Sequence, residues 1–158
     1  MPSVDYQIVV PYRLIPDGAG GVNARPCVAV VVTGPAGQFH VVAHVDSGSR
    51  YVVFNGEIAE AIGLNLADGE YVELGSPRGN VPARFHNVRV DVEGYSFPCR
   101  AAFTEARIRR CLLGRTDFFS RWQIGFRERI SELYLSPDPL AVDLRLPFGG
   151  QVPPFVEV

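Results

Sequence analysis

The chain has 158 residues, of which 47% are apolar, and a formal net charge of −2 at pH 7. This length and composition suffice for one domain with a buried core, and the small charge excludes a long-range field suited to nucleic acid or an anionic membrane. All fifteen basic residues are Arg, which excludes Schiff-base chemistry, a phosphate-loop lysine and Ser-Lys dyads.

Short apolar segments bounded by Gly, Pro and Asn recur along the chain, and this pattern predicts an all-β domain with one or two short helices. Residues 25–33 and 39–45 predict two strands. Residues 34–37 join them as a hairpin, because Gly and Pro favour the backbone angles of a tight turn. The second strand leads directly into the tripeptide Asp46-Ser47-Gly48.

An apolar strand that ends in a turn of small residues can lift one carboxylate out of the core. Gly48 accepts backbone angles and close contacts that a side chain would forbid, so we expect Asp46 to lie on a rigid, partly buried support. Residues 51–54 predict a strand that leaves the turn, and residues 56–63 predict a short helix closed by glycine.

A second hairpin is predicted further along the chain. Residues 71–74 and 81–92 predict its strands, and the polar, glycine-rich residues 75–80 predict its tip. The end of its second strand pairs again with residues 97–103 across a Glu-Gly turn.

The segment 111–119, CLLGRTDFF, contains another apolar strand that ends in glycine. Residues 116–121 predict a short helix, and residues 130–135 predict the last strand of the core. The Pro-containing residues 137–158 predict an extended arm that wraps its own domain or reaches a partner.

The segments VVAHVDSGS at 41–49 and CLLGRTDFF at 111–119 together resemble a retroviral-type aspartic protease, a retropepsin. In that family an apolar strand delivers an Asp-Ser/Thr-Gly turn. A second apolar strand, which ends in Gly and is usually followed by Arg, passes through a loop behind the turn. The resemblance implies a closed retropepsin-like β-barrel with one lobe per chain. It also implies an aspartic endopeptidase that uses a water activated by Asp46.

The resemblance assigns roles to the neighbouring residues. Ser47 would tie the two active-site turns of a dimer together, and Gly48 would let its backbone approach the substrate. Gly114 would close the loop behind the turn, with Arg115 after it. The family's flap, a hairpin that folds over bound peptide, falls in the matching interval, with its tip at Ser76, Pro77, Arg78 and Gly79. An ordinary surface hairpin is the alternative.

Two positions depart from the family's pattern. Arg50 stands where many retropepsins carry an acidic residue that pairs with the Arg of the Gly-Arg segment. Arg115 therefore needs another partner, either Asp117 or the opposite subunit. Thr116 also lengthens the usual Gly-Arg-Asp or Gly-Arg-Asn run, which leaves the orientation of the following helix open.

Peptide hydrolysis by this chemistry needs two carboxylates, because one accepts a proton from water while the other donates a hydrogen bond to the scissile carbonyl. The chain holds one Asp-Ser-Gly. We therefore expect a homodimer in which Asp46 is contributed twice across a twofold axis. Close like charges do not both ionise, so the pair would share one proton and activity would fall at alkaline pH. No metal or organic cofactor is required.

His44 lies two residues before Asp46, and strand periodicity puts both side chains on one face, about 7 Å apart, at the border of the substrate groove. One hypothesis is that His44 charges near neutral pH and alters the proton affinity of the pair; the alternative is a histidine satisfied by local hydrogen bonds. A metal site is disfavoured, because His40 and Asp46 would be about 20 Å apart. Ser47 lacks the strained elbow of a serine hydrolase.

The chain begins without a basic leader and apolar stretch, and no apolar run is long enough to span a bilayer. We expect one cytoplasmic domain over residues 1–158, with its core at about residues 24–136, and neither a membrane nor nucleic acid as a partner. Cys27, Cys99 and Cys111 are odd in number and lack paired metal-ligand spacing, so we predict buried free thiols.

A non-catalytic module is the main alternative function. The same barrel would then bind peptides or support assembly, with the two Asp46 carboxylates too far apart to share a proton. A scaffold that dimerises through its Pro-rich arm is a third hypothesis. One cluster of basic residues stands out in the sequence, Arg107, Arg109, Arg110 and Arg115. It predicts a solvated face or a dimer contact.

Overall fold

The computed structural model describes residues 5–144, which are mostly β-structure. The strands are β1 Ile8–Pro11, β2 Arg13–Pro16, β3 Val22–Arg25, β4 Cys27–Gly34, β5 Gly37–Val45, β6 Val53–Asn55, β7 Glu70–Ser76, β8 Gly79–Val92, β9 Tyr95–Thr104, β10 Cys111–Leu113, β11 Trp122–Arg127, β12 Glu132–Pro137 and β13 Asp143–Leu144. Helix α1 is Gly56–Ala61, and 3-10 turns lie at Leu66–Asp68 and Glu128–Ile130. Within this range no helix is both long and apolar enough to cross a bilayer.

Six strands close into a ring. Their order is β9-β6-β10-β5-β4-β8, and β8 pairs again with β9 to complete the circle. β7 extends the sheet beside β8, and β13 extends it beside β9. β1, β12 and β11 form a separate three-stranded sheet, and β2 and β3 form a two-stranded ribbon. The predicted closed, all-β barrel is confirmed.

The interior of the ring is packed with apolar side chains. Alternate residues of β4 and β5 point inward, as the two-residue period of a strand requires. Large fully buried side chains fill the space between them, and each stabilises the fold by roughly 1.5–3 kcal/mol. They include Phe54, Phe97, Phe103 and Leu113.

The three predicted hairpins are confirmed. β4 pairs with β5 up to the turn at residues 35–36, and β7 pairs with β8 up to the turn at residues 77–78. β8 turns into β9 at Glu93 and Gly94, whose φ angles are 50° and 81°. Two consecutive positive φ angles are typical of a tight two-residue hairpin turn.

The helix predicted over residues 116–121 is present only in part, as a single π-helical turn. The segment Arg115–Phe119 forms a wide turn in which Thr116 is extended, with ψ 126°, and Asp117 is left-handed, with φ 72°. The side chain of Asp117 explains the departure, because its carboxylate accepts a hydrogen bond from the backbone N–H of Arg100 at 2.9 Å and binds Arg121 at 3.2 Å. These contacts hold Asp117 outside helical geometry.

Helix α1 forms as predicted and is followed by Gly63 at φ 87°.

The structure contains three strands that begin before residue 25, where the sequence pattern predicts none. β1 pairs with β12, and Tyr12, between β1 and β2, is buried in the core. The outward positions of these strands also carry apolar residues, with Val9 52% and Leu14 70% exposed, so the alternation that marks a strand is absent from the sequence.

At the other end of the chain, Asp143–Leu144 pairs with the start of β9. Residues 145–158 of the predicted arm lie outside the described residues, and the extent of the domain and the role of the arm stay predictions. All three cysteines are buried, as predicted. Burial raises the pKa of the Cys111 thiol to about 11.

Candidate active site

Asp46 lies immediately after β5, in the turn of residues 46–50 that leads to β6. β10, which comes from the second predicted motif, is inserted between these two strands. It pairs in parallel with β5 and antiparallel with β6. The backbone N–H of Asp46 donates to the carbonyl oxygen of Leu113 at 3.0 Å, so the two motifs lie directly against each other.

The carboxylate of Asp46 is half-buried and is fixed from within its own turn. Its Oδ1 atom accepts a hydrogen bond from the backbone N–H of Gly48 at 2.8 Å. A Cβ on Gly48 would lie 3.1 Å from the same oxygen, whereas the φ of Gly48 is outside the left-handed region. Glycine is therefore favoured here for space rather than for backbone angle. Ser47 is exposed, and among residues 5–144 its hydroxyl has no hydrogen-bond partner.

Residues 113–116, which are the last residue of β10 and the three residues after it, hold the turn from behind, and we name this segment the clamp. The N–H groups of Arg115 and Thr116 donate to the carbonyl oxygens of Ser49 and Arg50, at 2.9 and 2.8 Å. Together with the bond to Asp46, these contacts attach both ends of the turn to one neighbouring segment.

Gly114 at the centre of the clamp is buried. A Cβ at this position would lie 2.2 Å from the carbonyl oxygen of Tyr51 and 2.7 Å from that of Ser49. Since both contacts are with backbone atoms, a side chain cannot be accommodated unless the turn moves.

The prediction that Asp117 pairs with Arg115 is wrong, because Asp117 binds Arg121 instead. The side chain of Arg115 is exposed, and no carboxylate within residues 5–144 pairs with it. The other predicted partner, the opposite subunit, is left as a proposal.

A cleft of about 900 Å³ opens beside the turn. Its first wall is the turn, from Gly48 to Tyr51, and its second is the tip of the β7–β8 hairpin, with Ser76, Pro77 and Arg78. Its third wall is the second half of the loop of residues 105–110, with Ile108, Arg109 and Arg110. The structure thus brings Gly48 and three predicted flap residues to one cleft. His44, Asp46, Ser47, Gly79, Gly114 and Arg115 do not line it, although Asp46 is bonded to Gly48 at its edge.

The hairpin tip is held by few contacts. The hydroxyl of Ser76 donates to the carbonyl oxygen of Gly79 at 2.6 Å and accepts from the N–H of Arg78 at 3.2 Å. Gly79 has φ 111°, and every residue from 75 to 80 is exposed. The tip can therefore change its position without loss of buried contacts.

Asn55, at the end of β6, positions the third wall and was not predicted from the sequence. Its buried Oδ1 accepts from the N–H of Ile108 at 2.8 Å, and its Nδ2 donates to the carbonyl oxygen of Ile108 at 3.3 Å. In the sequence, an Asn directly before a helix indicates an N-cap. Asn55 does occupy the N-cap position of α1, but it makes no side-chain capping bond.

His44 lies on β5 between Leu112 of β10 and Cys27 of β4. Its pKa is lowered from the ordinary value of 6.5 to about 4, mainly by burial and also by the positive charges of Arg110 and Arg25, against the opposing effect of Asp46. The hypothesis that His44 charges near neutral pH is therefore wrong.

In residues 5–144 no three His, Cys, Asp or Glu side chains are grouped to hold a metal ion.

Comparisons with known proteins bear on the fold. No protein-family model matches the chain, and no curated protein matches it. Among solved structures, it is similar to the crystal structure of a retropepsin-like aspartic protease from Rickettsia conorii, with a TM-score of 0.54 and 18% identity. The match covers 81% of this chain and 88% of that chain. At this identity the likeness shows the fold alone, and the predicted retropepsin-like fold is confirmed.

Proposed function

We propose that the chain is an aspartic endopeptidase that acts as a homodimer, with Asp46 of each subunit as its catalytic pair. The observation that carries the proposal is the position of Asp46. It follows a barrel strand directly, the clamp fixes its turn through backbone bonds, and Gly48 joins its carboxylate to the edge of a large cleft. A half-buried carboxylate held in this way suits chemistry that depends on fixed geometry.

The reaction follows from two carboxylates that share one proton. The ionised Asp46 accepts a proton from water as the water oxygen attacks the carbonyl carbon of the peptide. The protonated carboxyl of the partner subunit's Asp46 donates to the carbonyl oxygen, which stabilises the negative charge that develops there. When the tetrahedral intermediate collapses, the carbon–nitrogen bond breaks and the leaving amine takes up the proton that Asp46 accepted from water, which restores the starting protonation of the pair.

The walls of the cleft take supporting roles in this proposal. The β7–β8 hairpin acts as the flap, because its exposed tip shares the cleft with the turn and can close over a bound peptide. Ser47, whose side chain is exposed, would bond the turn of the second subunit across the twofold axis. Gly114 and the backbone of Arg115 support the turn from behind.

The test is cleavage of a diverse peptide mixture, read by mass spectrometry, at several pH values and enzyme concentrations. We expect wild-type protein to cut and the Asp46→Asn variant to be about 10²–10⁴-fold slower. In dilute solution the rate should rise faster than linearly with enzyme concentration, because two chains form one site.

Asp17→Asn is a matched control. Asp17 makes the same kind of bond as Asp46, since its Oδ1 accepts from the N–H of Ala19, two residues on, at 2.8 Å. It lies at the β2–β3 ribbon, outside the cleft lining. This variant should cut normally. If no product depends on Asp46 under any condition, the chain is a peptide-binding or assembly module.

A further inference from the structure

The charge of the cleft differs from that of the whole chain. The chain has a net charge of −2, yet among residues 5–144 the charged residues that line the cleft are four arginines and one glutamate. The arginines come from each of the three walls; they are Arg50, Arg78, Arg109 and Arg110. The glutamate, Glu73, already accepts hydrogen bonds from Tyr71 and Asn80, each at 3.1 Å.

Three arginines outside the cleft have carboxylate partners in the described residues, whereas the four cleft arginines have none. Arg84 binds Glu105 at 3.0 Å, and Arg121 binds Asp117 at 3.2 Å. A further pair joins Arg100 to Glu70. Within residues 5–144 no carboxylate lies at ion-pair distance from any of the four cleft arginines. The guanidinium groups of the cleft are thus left available to a ligand.

Positive charge is also concentrated around Arg110, in the third wall of the cleft. The pKa of Arg110 lies below its ordinary value because of partial burial and because of repulsion by Arg25 and Arg109. The Nε of Arg25 is itself buried without a hydrogen-bond partner in the described residues. Such mutual repulsion is relieved when an anion binds.

Between the arginines the cleft is apolar. Side chains of the barrel's outer face and of the hairpin form this surface; they are Val53, Val72, Leu74, Val81, Ile108 and Leu112. Tyr51 borders it and packs edge-on against Phe85, with the guanidinium of Arg50 5.2 Å from the centre of its ring. The ligand that complements this arrangement carries an apolar side chain at its centre and negative charges on both sides.

We infer that the cleft selects acidic peptide segments, in which Glu or Asp side chains flank an apolar residue. The inference rests on the proposed function, because it names the substrate class of the same site. Direct arginine–carboxylate contacts give selectivity at the rim, and burial of the apolar side chain gives affinity at the centre. An unstructured peptide suits the cleft because it can extend beneath the hairpin tip from one wall to the next.

The test measures binding with the Asp46→Asn variant, so that its outcome is independent of catalysis. Fluorescence anisotropy compares two labelled peptides that share a central Leu-Phe pair and differ only in the flanking residues, Glu in one and Gln in the other. We expect the Glu peptide to bind about tenfold tighter at low salt, and the difference to shrink as salt is added.

Substitutions of individual arginines test which of them cause the preference for the Glu peptide. Exchange of both Arg109 and Arg110 for Gln should weaken binding of the Glu peptide about fivefold and leave the Gln peptide unchanged. Arg107→Gln is the matched control, because Arg107 is an exposed arginine of the same loop that does not line the cleft. It should leave both affinities unchanged. All three side chains are exposed, so these variants are expected to fold.

Three outcomes would overturn the inference: equal affinity for the two peptides, an equal effect of Arg107→Gln, or tighter arginine-dependent binding of a single-stranded oligonucleotide than of the Glu peptide. Cleavage assays separate this result from the proposed function. Acidic selectivity without Asp46-dependent cleavage would refute the protease and keep the selectivity. Asp46-dependent cleavage at equal rates for the Glu and Gln peptides would support the protease and refute the selectivity.

Discussion

The two sides of the cleft are built by different means. The turn that carries Asp46 is bonded through its backbone to the clamp, and Gly114 leaves no room for a side chain between them. The side that carries most of the arginines is an exposed hairpin tip and a loop anchored by the side chain of Asn55.

This difference separates two requirements on the sequence. The turn depends on a few glycines and backbone contacts that allow almost no substitution. The loop and the hairpin tip can change most of their residues without loss of the barrel, because their side chains are exposed and contribute little to the core. Chemistry would thus be fixed by the first side and selectivity by the second.

The largest expected effect tests the rigidity of the turn. In Gly114→Ala the new Cβ would collide with two backbone carbonyl groups, the nearer at 2.2 Å. We expect the free energy of unfolding to fall by about 3 kcal/mol or more. Denaturation with urea measures this directly.

Gly75→Ala is the matched control on the other side of the cleft. A Cβ there would meet no atom within 4 Å, and the φ of Gly75 is not in the left-handed region. We expect this variant to be unchanged or up to about 1 kcal/mol more stable, because alanine restricts the unfolded chain. Equal losses in the two variants would contradict the contrast between the two sides.

The next prediction concerns the loop. Asn55→Ala removes both hydrogen bonds to Ile108 and leaves the backbone groups of that residue without these partners. We expect a loss of about 1–3 kcal/mol in the free energy of unfolding and weaker binding of the acidic peptide. Asn65→Ala, which removes an exposed cap of the 3-10 turn, should cost about 0.5–1 kcal/mol and leave peptide binding unchanged.

A smaller effect is expected within the turn. In Gly48→Ala the added Cβ would lie 3.1 Å from Oδ1 of Asp46, so the carboxylate must shift by a few tenths of an ångström. We expect kcat/KM for peptide cleavage to fall about tenfold while the fold is retained. Full activity in this variant, together with complete dependence on Asp46, would show that the carboxylate tolerates the displacement.

The sequence pattern predicts the all-β class and the hairpins, because strand alternation and turn residues are local features with local physical causes. The paired strands 27–34 and 37–45 are examples. The N-terminal strands could not be predicted in the same way, since apolar residues such as Leu14 also occupy their exposed positions. The closed barrel followed only from the resemblance carried by the two motifs, Asp-Ser-Gly and the glycine after β10.

The arginine side of the cleft was not predictable either, for a different reason. Arg50, Arg78 and the pair Arg109-Arg110 are far apart in the chain, and only the closed barrel brings them to one cleft. Asn55 carries the signal of a helix cap, although its side chain binds a loop more than fifty residues away. Contacts of this kind depend on the topology and leave no periodic pattern in the sequence.

The smallest predicted effect involves His44, which is influenced by both sides of the cleft, since Arg110 and Asp46 act on its charge in opposite directions. In the folded protein its pKa is about 4, whereas in the unfolded chain it has its ordinary value of 6.5. At pH values between about 4 and 6.5 the unfolded state binds more protons than the folded state. The free energy of unfolding therefore rises with pH across this window, and the contribution is lost as the pH falls through about 4.

Because His44 is only half-buried, solvent screens part of this effect, and we expect a change of about 1 kcal/mol between pH 4 and pH 6.5. Urea denaturation at several pH values should show this slope in wild type and a shallower slope in His44→Gln. His86→Gln serves as the control, because His86 is a half-buried histidine that contacts the carbonyl oxygen of Leu66 at 3.1 Å. An unchanged slope in His44→Gln would mean that neither burial nor the charge of Arg110 lowers the pKa of His44 in the folded protein.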